Sequence, residues 1–152
     1  MTVEDRLAAL GLTLPPAPPP AASYRPFVQV GSLLYVAGQI PQAPDGTLLR
    51  GRLGDDLDVA AGRRAAERCA LAVVAQVKAA TGDLARVDRF VKLTVFVNST
   101  PHFTDQPEVA NGASELIVAV FGERGHHARS AVGVASLPRG VAVEVDAVVA
   151  LG

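Results

Sequence analysis

Residues 128–149, ARSAVGVASLPRGVAVEVDAVV, decide how the rest of the chain is read. Small and branched residues from Arg129 to Ala135 and from Val141 to Val149 predict two strands, and Leu137-Pro138-Arg139-Gly140 between them supplies turn chemistry. If they form a hairpin centred on Pro138 and Arg139, its register puts Ser130, Val132, Val134, Val143, Val145 and Ala147 on one face. Arg129, Ala131, Gly133, Ala135, Ala142, Glu144, Asp146 and Val148 then share the other. The first face suits a core. The second mixes small with charged side chains and is too polar to be dry, so it is expected to meet water or another subunit.

The segments before this pair alternate between helical and strand periods. Val109, Ala113, Leu116 and Val120 fall on one stripe of a helix expected from about Pro107 to Phe121, with Gly122 marking its exit. Phe90 to Val97 reads as a strand with Val91, Leu93, Val95 and Val97 on one face. Asp58 can cap a long helix whose apolar stripe is Ala66, Cys69, Ala70, Val73 and Val77, ended by Gly82. Phe27–Val30, Leu33–Val36 and Thr47–Leu49, the last after a Pro44-Asp45-Gly46 turn, predict a three-stranded meander. At the N-terminus Thr2 and Asp5 resemble a capping pair for a short helix with Leu7 and Leu10 on its apolar side and Gly11 as its stop. Leu14 to Pro20 follows as a proline-rich arm, expected to be a semi-rigid spacer on the surface or a ligand for a proline-binding domain. The organisation is therefore a leader and arm over residues 1–22 and a domain over 23–152. That domain is expected to be α+β, in the order β-β-β-α-β-α-β-β, with a single mixed sheet and both long helices on one face.

The 152 residues, with 14 Lys+Arg against 15 Asp+Glu and a net charge of -1, fit one domain without the basic field that attracts phosphate backbones or anionic lipid. Nucleic acid and membrane are not expected as partners. One cysteine and three scattered histidines are poor material for a structural zinc site, so no metal is expected. The acidic start and the lone thiol predict a cytoplasmic protein. Cys69, on the apolar stripe, reads as a small core hydrophobe rather than a reactive thiol.

Two residues of the polar face carry chemistry. Arg129 and Glu144 are offset by four residues along the strands, roughly 13 Å at 3.3 Å per residue, so their side chains can reach toward each other. A guanidinium fork takes a carboxylate bidentately and a nearby glutamate can handle a proton or a water. A plain ion pair at a subunit interface uses the same residue types. Asp146 shares their face, and His126 and His127 are either proton-handling groups at its edge or a polar loop entering the strand.

Three stretches together resemble the YjgF-like family, the reactive-intermediate imine deaminases called RidA. They are Ala37-Gly38-Gln39-Ile40-Pro41, Val91-Lys92-Leu93-Thr94-Val95-Phe96-Val97, and Ala128 to Pro138 leading into Val143-Glu144-Val145-Asp146-Ala147. The resemblance covers about residues 24 to 150, and many relatives carry the older label L-PSP endoribonuclease. It implies a chorismate-mutase-like fold and a homotrimer with three clefts between neighbouring subunits. It also implies hydrolysis of small 2-imino or enamine acids to 2-keto acids and ammonia without a cofactor. The arginine matching Arg129 would grip the substrate carboxylate and the glutamate matching Glu144 would position the attacking water. Gly38, Phe27, Asn111 and Ala131 match positions lining the cleft.

Two of these positions depart from the family pattern. Phe27 lacks the hydroxyl of the usual tyrosine, and Ala131 stands where many relatives carry cysteine or threonine. Non-catalytic binding of small carboxylates in the same cleft is the alternative these departures favour; an endoribonuclease would need a basic, aromatic-interleaved patch that the sequence does not show.

Overall fold

The computed structural model describes residues 1–19 and 23–152. Five strands form one mixed sheet: β1 (Phe27–Val30), β2 (Leu33–Gln39), β3 (Val87–Asn98), β4 (Ala128–Val134) and β5 (Val143–Leu151), in the spatial order β1-β2-β5-β3-β4. All neighbours are antiparallel except β3 and β4, which are parallel. Helices α2 (Val59–Thr81) and α3 (Gln106–Phe121) cover one face, and a short α1 (Val3–Ala9) packs against α3. Among the described residues no helix is long and apolar enough to cross a membrane.

Local chemistry sets the element ends. The Thr2 hydroxyl accepts from the Asp5 N–H at 3.0 Å while the Asp5 carboxylate accepts from the Thr2 N–H at 3.0 Å, a reciprocal capping box. Val3 and Leu7 of that helix enter the core, whereas Leu10 lies beyond its last turn and is exposed. Asp58 caps α2 through the Ala61 N–H at 2.8 Å, and Gly82 ends it at φ +73°. Ala66, Cys69, Ala70, Val73 and Val77 are all buried, as the period requires. Where α2 crosses α3, a Cβ on Gly112 would collide with the Arg63 backbone carbonyl, so glycine sets how closely the two helices approach. Phe90 and Phe121 tie sheet to helix, their rings 4.9 Å apart and tilted by 54°.

Three sequence expectations need correction. Thr47–Leu49 is no strand: Pro41, Pro44 and the left-handed Gly46 and Gly51 flank it closely and stop a ladder from extending, and only single bridges form, Gln42 with Leu48 and Arg50 with Val141. In β3 a bulge between Phe90 and Lys92 shifts the alternation, burying Phe90 and turning Val91 outward, while Leu93, Val95 and Val97 stay inside.

The third correction concerns β4 and β5, which form no hairpin. Helix α3 returns the chain so that β4 runs parallel to β3 at the sheet edge, and the segment from Ala135 to Ala142 then steps across the end of β3 to its other side. Cross-strand rows therefore place Arg129 beside Leu93 and Ala147, and Val132 beside Phe96 and Glu144. This differs from the hairpin register by one residue, which turns every β4 side chain to the other face. Arg129, Ala131 and Gly133 lie on the helix side; Ser130 and Val132 lie on the bare side with Glu144, Asp146 and Val148.

Candidate functional site

Neighbours on the helix fix the position of Arg129. Asn111 and Ser114 sit one turn apart on α3, and Arg129 Nη1 donates to Asn111 Oδ1 at 2.8 Å and to Ser114 Oγ at 3.2 Å. Among the described residues the rest of the guanidinium makes no hydrogen bond, which leaves its Nη2 and Nε edge free. Ala131, two residues along the same strand, shares this side and packs against the core. Ser114 also meets the ring of His127, whose Nε2 lies 2.9 Å from its hydroxyl, while His127 Nδ1 lies 2.6 Å from the Gly125 carbonyl oxygen. Burial, then the charges of Arg129 and His126, hold the His127 ring below its ordinary value of 6.5. His126 itself is exposed beside Glu123, and His102 is exposed.

Glu144 has a separate environment. An irregularity in β2 between Val36 and Gln39 brings Gly38 against it, so closely that a Cβ at Gly38 would overlap the Glu144 carboxylate. Desolvation, and after it the charge of Asp146, raises the Glu144 carboxyl above its usual 4.5. A cavity of about 620 Å³ opens beside it, within the range of small-molecule sites. Its lining includes Gly38 and the polar or charged residues Gln39, Arg68, Gln76, Arg139 and Glu144. The amide of Gln76, buried in α2, reaches Gln39 Oε1 at 3.4 Å, and its own Oε1 has no partner among the described residues.

The proline arm is a wall of this cavity rather than a bare spacer. Pro15, Pro16, Pro18 and Pro19 line it together with Gly38 and Glu144. The end of the arm, Pro20 with Ala21 and Ala22, lies outside the described residues. Cys69 is fully buried, its Sγ 3.4 Å from the Val143 carbonyl, and burial pushes its thiol well above the usual range, which suits the core role read for it.

The residues singled out in the sequence thus fall into two groups. Arg129, Asn111 and Ala131 gather at the β4 edge under α3. Glu144, Gly38 and Asp146 gather across the sheet, Glu144 and Asp146 on its uncovered face. Phe27 joins neither: it pairs with Val36 on the helix side and packs half-buried on the core. Ser114 was not singled out, although its spacing of three from Asn111 on a predicted helix was a signal that both share one face.

This architecture matches a known class. The family model described as "YjgF/chorismate_mutase-like, putative endoribonuclease" matches residues 4–145, and the chain belongs to that family. Protein TCP17 of Trypanosoma cruzi is 56% identical over 98% of this chain and 94% of its own length. The crystal structure of Atu1372 from Agrobacterium tumefaciens, described as a protein with unknown function, is 50% identical. It superposes with a TM-score of 0.93 over 99% of this chain and 94% of that one. A protein of Dermatophagoides farinae named 2-iminobutanoate/2-iminopropanoate deaminase is 28% identical over 92% of this chain and 94% of its own.

Proposed function

We propose that the protein hydrolyses small 2-imino or enamine acids to 2-keto acids and ammonia, in a cleft between copies of the chain. The observation that carries this is the Arg129 guanidinium, braced on one nitrogen by Asn111 and Ser114 with its outer edge free, a geometry suited to a bidentate carboxylate. Family membership and the deaminase relative support the same chemistry.

Arg129 and Glu144 point to opposite sides of one chain's sheet, so both can face one small molecule only if they come from different copies. A homotrimer supplies three such clefts. Val28, Val30, Tyr35 and Val132, exposed on the face that α2 and α3 leave bare, are apolar enough to be covered by a partner sheet. Within the cleft Arg129 holds the carboxylate and so fixes the C=N carbon. Glu144 takes a proton from water as the oxygen adds to that carbon and passes it to the nitrogen, giving a carbinolamine; it then carries the hydroxyl proton to the amine, so that the C–N bond breaks as C=O forms and ammonia leaves a keto acid. Water is the only co-reactant, and the buried thiol suits work in a reducing cytoplasm.

The test is keto acid release from imines generated in situ by an amino-acid oxidase. The protein should accelerate release, and Arg129→Ala should lose nearly all of the acceleration. A rate no higher than buffer for several different amino acids overturns the reading. Non-catalytic binding of small carboxylates is the second reading, favoured by the absence of a polar atom on the side chain of Ala131, which shares the side of Arg129. Calorimetric binding of a keto acid without imine turnover would select it.

A further inference from the structure

We infer that Ser114 and His127 are positioning residues for the carboxylate anchor, acting through one directed chain of hydrogen bonds that sets the orientation of the Arg129 guanidinium. The inference rests on the role proposed above for Arg129 and extends it to two residues that touch no substrate.

The direction of the chain follows from donor and acceptor chemistry. The Gly125 carbonyl oxygen, 2.6 Å from His127 Nδ1, can only accept, so Nδ1 carries the proton. In the neutral ring Nε2 is then an acceptor, and the Ser114 hydroxyl at 2.9 Å must donate to it. With its proton committed, Ser114 Oγ presents lone pairs to Arg129 Nη1 at 3.2 Å. Asn111 Oδ1 takes the other side of the same nitrogen at 2.8 Å. Burial and the neighbouring positive charge of Arg129 keep the ring neutral, which is the state this direction needs.

Two acceptors on one nitrogen fix more than its position. A single acceptor would let the guanidinium swing about the hydrogen bond; two from successive turns of α3 define the plane of the fork, and that plane decides whether Nη2 and Nε meet a carboxylate edge-on. Without His127 the serine hydroxyl is free to rotate its proton toward Arg129, replacing an attraction by a repulsion. Gly125 is held in turn: a Cβ there would meet the Ile117 carbonyl within 2.5 Å, so the carbonyl that orients His127 belongs to a close-packed turn on α3.

Steady-state kinetics on 2-iminobutanoate generated in situ, with the full chain, tests the inference alongside calorimetric titration with 2-oxobutanoate. Ser114→Ala and His127→Leu should each raise KM about tenfold, the loss expected for one hydrogen bond to a charged group, with kcat within about twofold of wild type. His127→Gln, whose amide oxygen can occupy the place of Nε2 as an acceptor, should restore KM to within about threefold. A purely structural role would not split KM from kcat, nor be rescued by glutamine. Unchanged KM in Ser114→Ala, or a fall in kcat with KM constant, overturns the inference. If wild type turns over no imine yet binds 2-oxobutanoate, and Ser114→Ala binds it about tenfold more weakly, the hydrolysis reading fails and the positioning role stands. A wild-type chain that neither turns over imine nor binds the keto acid overturns both.

Discussion

Arg129 and Glu144 project from opposite faces of the same sheet, Arg129 in the cross-strand row of Leu93 and Ala147 and Glu144 in that of Phe96 and Val132. No rotamer change brings them together within one chain, because the sheet itself lies between them.

Complementation follows from that separation. Arg129→Ala and Glu144→Gln should each be inactive alone, yet co-refolded mixtures should regain activity, since some clefts then pair an intact arginine with an intact glutamate. For a random equimolar mixture in a cyclic assembly the recovery should be roughly a quarter of the wild-type rate. No recovery in verified mixed oligomers would mean that the two groups do not serve one cleft.

Gly38→Ala should abolish activity while leaving the fold in place. The added methyl meets the far end of the Glu144 side chain, which can swing aside at little cost to stability but cannot then keep its position in the cleft. Circular dichroism and thermal melting should match wild type within a few degrees; a cooperative loss of stability would contradict this.

Desolvation raises the carboxyl of Glu144, and that has a definite sign for both activity and stability. The proposed reaction needs the carboxylate, so activity should fall as pH drops through a value above the ordinary 4.5. Folding favours the protonated form, so the contribution of Glu144 to stability is full below 4.5 and is lost as pH rises through its raised value. Glu144→Gln escapes that loss. Melting temperatures at several pH values should show the variant gaining on wild type from acid toward neutral pH, while its activity is absent throughout.

Gly112→Ala tests the crossing of α2 and α3. Its methyl would collide with the backbone carbonyl of Arg63, which cannot turn aside as a side chain can, so the helices must separate. Overpacking of this kind costs about 1–3 kcal/mol, readable as a lowered urea midpoint. An unchanged midpoint would show that the crossing relaxes freely.

Much of the molecule is legible in order of residues alone because it depends on local chemistry. Caps at Thr2 and Asp58, the left-handed stop at Gly82, the buried stripe from Ala66 to Val77 and the inward set Val143, Val145 and Ala147 all follow from short-range periodicity. The expectation of a mixed sheet with both long helices on one face, read from the order of elements, also holds in the structure; right-handed connections from β2 to β3 and from β3 to β4 run the same way across the sheet and so put both helices on one side.

Which strand pairs with which does not follow from any of this. Leu137 to Gly140 has the composition of a hairpin turn, but partner choice is settled by α3, which returns β4 alongside β3, and by β3 occupying the place between β4 and β5. Because side chains alternate with a period of two, that choice shifts the register of β4 by one and carries Arg129 to the helix side, into contact with Asn111 and Ser114. The sequence by itself determined the local elements and the candidate side chains, a guanidinium at Arg129 and a carboxyl at Glu144. Only the tertiary structure decided which of them share a side, because facing across a sheet is a property of long-range pairing and not of any segment read alone.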